Sequence, residues 1–214
     1  MTVSPRVIRG GVVVIPASGP MQTFPLQYNP DSITRTLQPQ GTGATGQDRS
    51  EALRLKGPVT ETFSVEAEFD LTDAMENAAR APAAVRDGLH PQLAFLTGLI
   101  NPTAADLQNN DALSRAGKLD SIPVQAPLTL FVWSSHRIVP VRITQLTIAE
   151  EAFDTALNPI RAKVTLALRV LTVNDLPFDH PGSTIFLNYL RATERLAAGA
   201  GSAALSQLGI TSVG

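Results

Sequence analysis

The segment Thr60 to Asp70, TETFSVEAEFD, constrains this chain more than any other. Phe63, Val65, Ala67 and Phe69 alternate without a break with Thr62, Ser64, Glu66 and Glu68. A period of two marks a β-strand with one buried and one wet face, because successive side chains on a strand point to opposite sides. The pattern returns between Arg161 and Val173. There Ala162, Val164, Leu166, Leu168 and Val170 share one face, and Arg161, Lys163, Thr165, Ala167 and Arg169 share the other. Strands that are apolar on one side only belong to an antiparallel sheet packed on one face.

Around these two strands the rest of the chain falls into order. Arg6 to Ile15, bounded by Pro5 and Pro16, reads as a strand bent at Gly10-Gly11, and Met21 to Tyr28 as its partner, ended by the turn residues Asn29-Pro30-Asp31. Gln38 to Gly57 is polar and rich in Gly and Thr, the composition of a long mobile loop. From Leu71 to Gly117 apolar residues recur at helical spacing, with Leu89, Leu93, Leu96, Leu99 and Ile100 on one side and Pro82, Pro91 and Pro102 dividing the region into short helices. Strand character resumes at Leu128 to Trp133 and at Arg137 to Ala149, the latter joined to the Arg161 strand by EEAFDTALNP as a hairpin with an extended tip. Ser183 is placed to cap a final helix to about Ala198, with Ile185, Phe186, Tyr189, Leu190, Thr193 and Leu196 on one stripe, and the Ala/Gly/Ser tail after it is expected to be flexible until bound. The expected layout is a β-rich α+β domain over residues 1–176 with a helical insertion at about 71–117, then a helix and tail over 177–214.

Composition removes several function classes. Apolar residues make up 43% and charged residues 17% of the chain, with a net charge of -2, so it can bury a core but offers no basic excess for a nucleic-acid backbone. The chain has no cysteine, which excludes disulfides, thiolate metal sites and cysteine nucleophiles. The apolar run Val12 to Ile15 is too short for a signal-peptide core or a membrane span, so synthesis and assembly in the cytoplasm, without membrane insertion, are expected.

The candidate chemical motifs lack the context their chemistry needs. Gly41, Gly43 and Gly46 spell G-x-G-x-x-G, but a dinucleotide site places such glycines between a buried strand and a helix, and Thr34 to Gln40 is polar and contains Pro39. His90, His136 and His180 have no metal-binding spacing. Ser135 and His136 would point to opposite faces of a strand, which keeps a nucleophile from its base. Glu150-Glu151 at the expected hairpin tip, Asp70 with Asp73, and Asp175 with Asp179 read as solvated turn residues. Trp133 reads as a packing residue at a strand end rather than a sugar platform. No catalytic residue, metal site or cofactor is expected; the alternative reading is a small-ligand or carbohydrate-binding β-barrel.

The order of LQYNP (26–30), GPVTETFSVEAEFD (57–70), HPQLAFLTGLINP (90–102), PLTLFVW (127–133) and VRITQLTIAEEAFDTALNPIRAKVTLALRV (141–170) resembles the tube-like proteins of contractile injection systems, over roughly residues 7–175. Within the last segment, Asn158-Pro159-Ile160-Arg161-Ala162 resembles the segment those proteins carry in their closing hairpin. The resemblance implies a phage-tail-tube-like β-barrel or sandwich. It implies no enzymatic activity, and assembly into a ring, usually a hexamer, stacked with tube, sheath, cap or baseplate subunits, in a particle that acts inside its producer or is released. Arg161, Lys163, Thr165 and Arg169 would then face a wet lumen, while Ile185, Phe186, Tyr189 and Leu190 would grasp a neighbouring subunit. Baseplate relatives with a peptidoglycan-binding LysM module carry it after this domain; a helix and short tail here favour an adaptor at one tube end.

Overall fold

The computed structural model of the protein describes residues 8–41, 54–76, 82–117, 125–201, 205–208, 210 and 212. Seven strands form one antiparallel sheet: β1 (Gly11–Ile15), β2 (Gln22–Pro25), β3 (Ile33–Gln38), β4 (Thr60–Asp70), β5 (Leu128–Ser134), β6 (Arg137–Phe153) and β7 (Pro159–Val170), in the order β2-β1-β5-β6-β7-β4-β3. The alternation expected for β4 and β7 sets their register. Phe63 lies opposite Leu168, Val65 opposite Leu166, Ala67 opposite Val164 and Phe69 opposite Ala162. All eight side chains are buried on one face. Val139 and Val141 of β6, Phe131 of β5 and Val12 of β1 complete that face.

Of the barrel or sandwich expected from sequence, the subunit shows the antiparallel β-rich sheet with short helices and a C-terminal helix; the strands form a single curled sheet that is open in its hydrogen bonding. Its edges are β2 and β3, yet only residues 26–32 join them. Six inter-strand steps of about 4.8 Å would place the edges of a flat sheet about 29 Å apart, near the reach of so short a link. The curl is visible in contacts between the β2 side and β4. The Gln27 side-chain amide donates from Nε2 to the Asp70 carbonyl and accepts at Oε1 from the Asp70 N–H at 3.0 Å, tying the link to the end of β4. Phe24 lies 5.8 Å from Phe69 and stacks at 4.9 Å on Phe95, ring centre to ring centre.

The helical insertion is present as α1 (Thr72–Glu76), α2 (Pro82–Asp87), α3 (His90–Gly98) and α4 (Ala104–Arg115). Leu89, at the head of α3, and Leu93 and Leu96 within it are buried in the core. The α2–α3 link packs against the β6–β7 hairpin: Leu89 N–H donates to the Pro159 carbonyl at 2.8 Å. Gly88 permits this approach. Its φ is +56°, and a Cβ there would lie 2.6 Å from the same carbonyl oxygen. α4 buries no side chain and is fastened at its start by a reciprocal Thr103–Asp106 capping box.

The last helix, α5 (Pro181–Ala198), starts earlier than Ser183. His180 is the cap, its Nδ1 accepting from Gly182 N–H at 3.1 Å, and Pro181 opens the first turn. Ser183 is fully buried instead and donates to the Pro177 carbonyl at 2.8 Å. A further 3-10 turn covers Leu205–Leu208.

Three other expectations are refined. Gln38, the first residue of the expected loop, is instead the last of the edge strand β3 (Ile33–Gln38), a strand that no expectation marks. The extended hairpin tip shrinks to Asp154–Asn158, which puts Glu150 and Glu151 in β6. β1 begins at Gly11 and β2 ends at Pro25, so both are shorter than the apolar runs around them. Residues 42–53 of the expected long loop lie outside the described residues.

Candidate interaction surface

The wet face of β4, β7 and β6 is a ladder of ions. Cross-strand register sets Asp70 opposite Arg161, Glu68 opposite Lys163 and Glu66 opposite Thr165. Arg161 Nη2 lies 2.8 Å from Asp70 Oδ2. Lys163 Nζ lies 3.3 Å from Glu151 Oε1 and 3.8 Å from Glu68 Oε1. At the far end Arg169 Nη2 reaches Asp175 Oδ1 at 2.7 Å. The expected separation of faces on β7 therefore holds within the subunit: Arg161, Lys163, Thr165 and Arg169 point away from the core.

These ions set the character of the face more than its stability, because exposed pairs contribute only about 0–1 kcal/mol each. The Asp70 carboxyl is held below the usual carboxylate range by the hydroxyl and amide of Thr72, with Arg161 adding to the effect. Lys163 is made more basic by its bond to Glu151.

Beside the ladder the 26–32 link lays Tyr28 over β4, forming two adjoining depressions. One is lined by Tyr28, Asp31, Glu66 and Glu68; the other by Tyr28, Glu68, Asp70, Glu151, Arg161 and Lys163. Five carboxylates share this groove with two basic side chains. Asn29 fixes the link by accepting from Gly10 N–H at 2.9 Å and donating to the Ile8 carbonyl at 2.8 Å. The alternation of β4 announces Glu66 and Glu68 in the sequence, but nothing local announces that Tyr28 and Asp31 arrive beside them.

The other group singled out in the sequence, on α5, is divided by the fold. Phe186 is buried in the chain's own core and Ile185 is half-buried. Tyr189 donates to Glu61 Oε1 at 3.1 Å and accepts from Arg35 Nη2 at 2.9 Å. Arg35 Nε also donates to Glu61, which is 3% exposed. Burial and the neighbouring Glu61 carboxylate raise the Tyr189 phenol above its ordinary pKa. Leu190 and Leu196 remain exposed. This Arg35–Glu61–Tyr189 cluster has no sequence signature, since its members come from three elements.

The candidate chemical groups stay apart. His90 stands exposed at the first position of α3, His136 lies in the Ser135-His136 turn of the β5–β6 hairpin, and His180 caps α5. Ser134 Oγ accepts from His136 N–H at 3.3 Å, a turn bond. Asp175 accepts from Thr172 N–H at 2.9 Å and holds the turn after β7; Asp179 is exposed. Trp133 is half-buried, its ring 6.2 Å from Phe131 and in the space a Gly10 side chain would need. Gly41 sits in an isolated bridge to Leu55, while Gly43 and Gly46 lie outside the described residues, as does the side chain of Asp73. Among the described residues no three His, Asp or Glu side chains gather as a metal site, and no helix is long and apolar enough to cross a membrane.

No family model matches the chain, and no curated protein matches it. A chain from a solved structure titled "Virion of native gene transfer agent (GTA) particle" is similar at 12% identity, over 74% of this chain and 90% of that one, with a TM-score of 0.27.

Proposed function

We propose that this chain is a non-enzymatic structural subunit of a phage-tail-like contractile injection machine, assembled as a ring of copies, six by the resemblance, that fits one end of the inner tube to sheath, cap or baseplate. The observation that carries the reading is the division of the curled sheet. One face is closed by the chain's own core, and the other is polar, with ion pairs at Asp70–Arg161, Glu68–Lys163–Glu151 and Arg169–Asp175 and uncharged Ser64, Thr165 and Ala167 between them, on a hairpin whose strands run 17 and 12 residues. Such a face suits a water-filled lumen or a contact between polar subunits, and ring closure also protects strand edges that would otherwise recruit other chains. The order of short motifs in the sequence supports the same reading. Assembly takes place in the cytoplasm, and release follows with the particle.

Co-expression with the genes that flank it provides the test. The reading predicts that tagged protein co-purifies with a tube or sheath subunit in fixed ratio; a chain that never associates with either, at any salt concentration, would refute it.

A further inference from the structure

The two ends of the β3–β4 pair carry opposite charge, and one chain cannot bring them together. At one end the ladder continues past the strands as an arm: Lys56 N–H donates to the Gln40 carbonyl at 2.8 Å and Leu55 bridges Gly41. The arm exposes Arg54, Leu55 and Lys56, with Leu55 75% exposed. Among the described residues neither Arg54 nor Lys56 makes an ion pair. At the other end lies the acidic groove beside Tyr28, where Lys163 and Arg161 engage Glu68, Glu151 and Asp70. Asp31 and Glu66 make no ion pair among the described residues.

Glu66 is six residues along β4 from Thr60, about 20 Å in an extended strand. The arm lies beyond Thr60, on the side away from the groove, so it points away from its own acidic site.

We propose that the arm of one copy docks in the groove of a second copy, Leu55 packing on the Tyr28 ring while Arg54 and Lys56 meet Asp31, Glu66 and Glu68. The occupant is a second copy because arm and groove are complementary in charge, lie at opposite ends of one strand pair, and each offers an exposed apolar side chain. A contact between different patches is head-to-tail, and it closes into a ring or grows as a stack according to the rotation per copy. The proposal rests on the reading that the chain self-assembles. The charges set orientation and salt sensitivity, and the apolar contact supplies the anchor.

The natural absence of cysteine makes the contact directly testable, since a disulfide forms only when two Cα atoms come within about 4.4–6.8 Å. Tyr28→Cys and Leu55→Cys proteins, each shown to fold by circular dichroism, are mixed and oxidised at low salt. The mixed disulfide is expected in large excess over either homodimer. It should be lost when Glu66→Lys and Glu68→Lys are added to the Tyr28→Cys protein, and regained when the Leu55→Cys partner carries Arg54→Glu and Lys56→Glu. Equal yields of mixed and homodimeric product would overturn the proposal. If the wild-type chain forms rings but the mixed disulfide does not form, the docking is wrong and the ring stands. A wild-type chain that never self-associates overturns both.

Discussion

Glu61 is where the attachment of α5 can be measured. Its carboxylate is almost wholly buried and takes hydrogen bonds from Arg35 Nε on β3 and from the Tyr189 hydroxyl on α5, so one side chain ties the sheet edge to the C-terminal helix. Replacing it by Gln keeps the shape and removes the charge. A hydrogen bond to a charged group contributes about 1.5–3 kcal/mol, and the lower end applies here because Arg35 is 32% exposed and water screens it. Glu61→Gln is therefore expected to cost about 1.5 kcal/mol, and Tyr189→Phe, which deletes one hydroxyl, about 1 kcal/mol. For a chain of 214 residues the first corresponds to a fall of roughly 3–6 °C in Tm. Because both changes act on the same Tyr189–Glu61 bond, Gln weakening it by removing the charge and Phe deleting it, the double variant should lose less than the sum, with a coupling of about 0.5–1 kcal/mol. Urea unfolding of the four proteins at pH 7 gives each value, and limited proteolysis reports whether α5 is released first. Additive effects, each below about 0.5 kcal/mol, would show that α5 is not held to its own sheet by this cluster.

Other outcomes follow from single contacts. Gly88→Ala forces a Cβ onto the Pro159 carbonyl at 2.6 Å and a positive φ onto an L-residue, so it should destabilise by about 2 kcal/mol or more in the same urea assay. Leu157 has a φ of 66° and is 77% exposed, so Leu157→Gly relieves left-handed strain with little burial lost and should stabilise by about 0.5–1 kcal/mol net of the entropy of Gly. Asp154 accepts at the hairpin tip from Asn158 Nδ2 at 2.9 Å and from the Asn158 and Ala156 N–H groups at 2.8 Å, which lowers its pKa. A depressed folded pKa gives stability that is full above the unfolded carboxylate pKa, about 3.9, and lost as pH falls through the folded one. Asp154→Asn should accordingly flatten the fall in urea midpoint below about pH 4 relative to wild type, as measured by a pH series.

The parts of the fold legible in sequence are those where one physical signal dominates. β4 and β7 could be read because half of each strand is apolar at strict period two, and the helical insertion because its prolines and leucines share one spacing. β3 was not legible: ITRTLQ lies at an edge with five of six residues exposed, so neither alternation nor an apolar run marks it. The start of α5 was misread because Ser183 is a better cap by type than His180, yet Pro181 fixes the first turn and leaves Ser183 to the buried turn behind it. On the candidate surface, Arg161, Lys163, Thr165 and Arg169 followed from periodicity. Tyr28, Asp31 and the Arg35–Glu61–Tyr189 cluster depend on the curl of the sheet, which brings together residues from separate elements. Phe186 and Tyr189 looked available to a partner because an amphipathic stripe does not say whose core it fills.

Mass photometry and negative-stain imaging of the purified protein, alone and co-expressed with its flanking genes, test the central claim most directly. The account predicts a closed ring with a central hole, of mass six times the 22.7 kDa chain. A particle that remains a 22.7 kDa monomer under both conditions would contradict it.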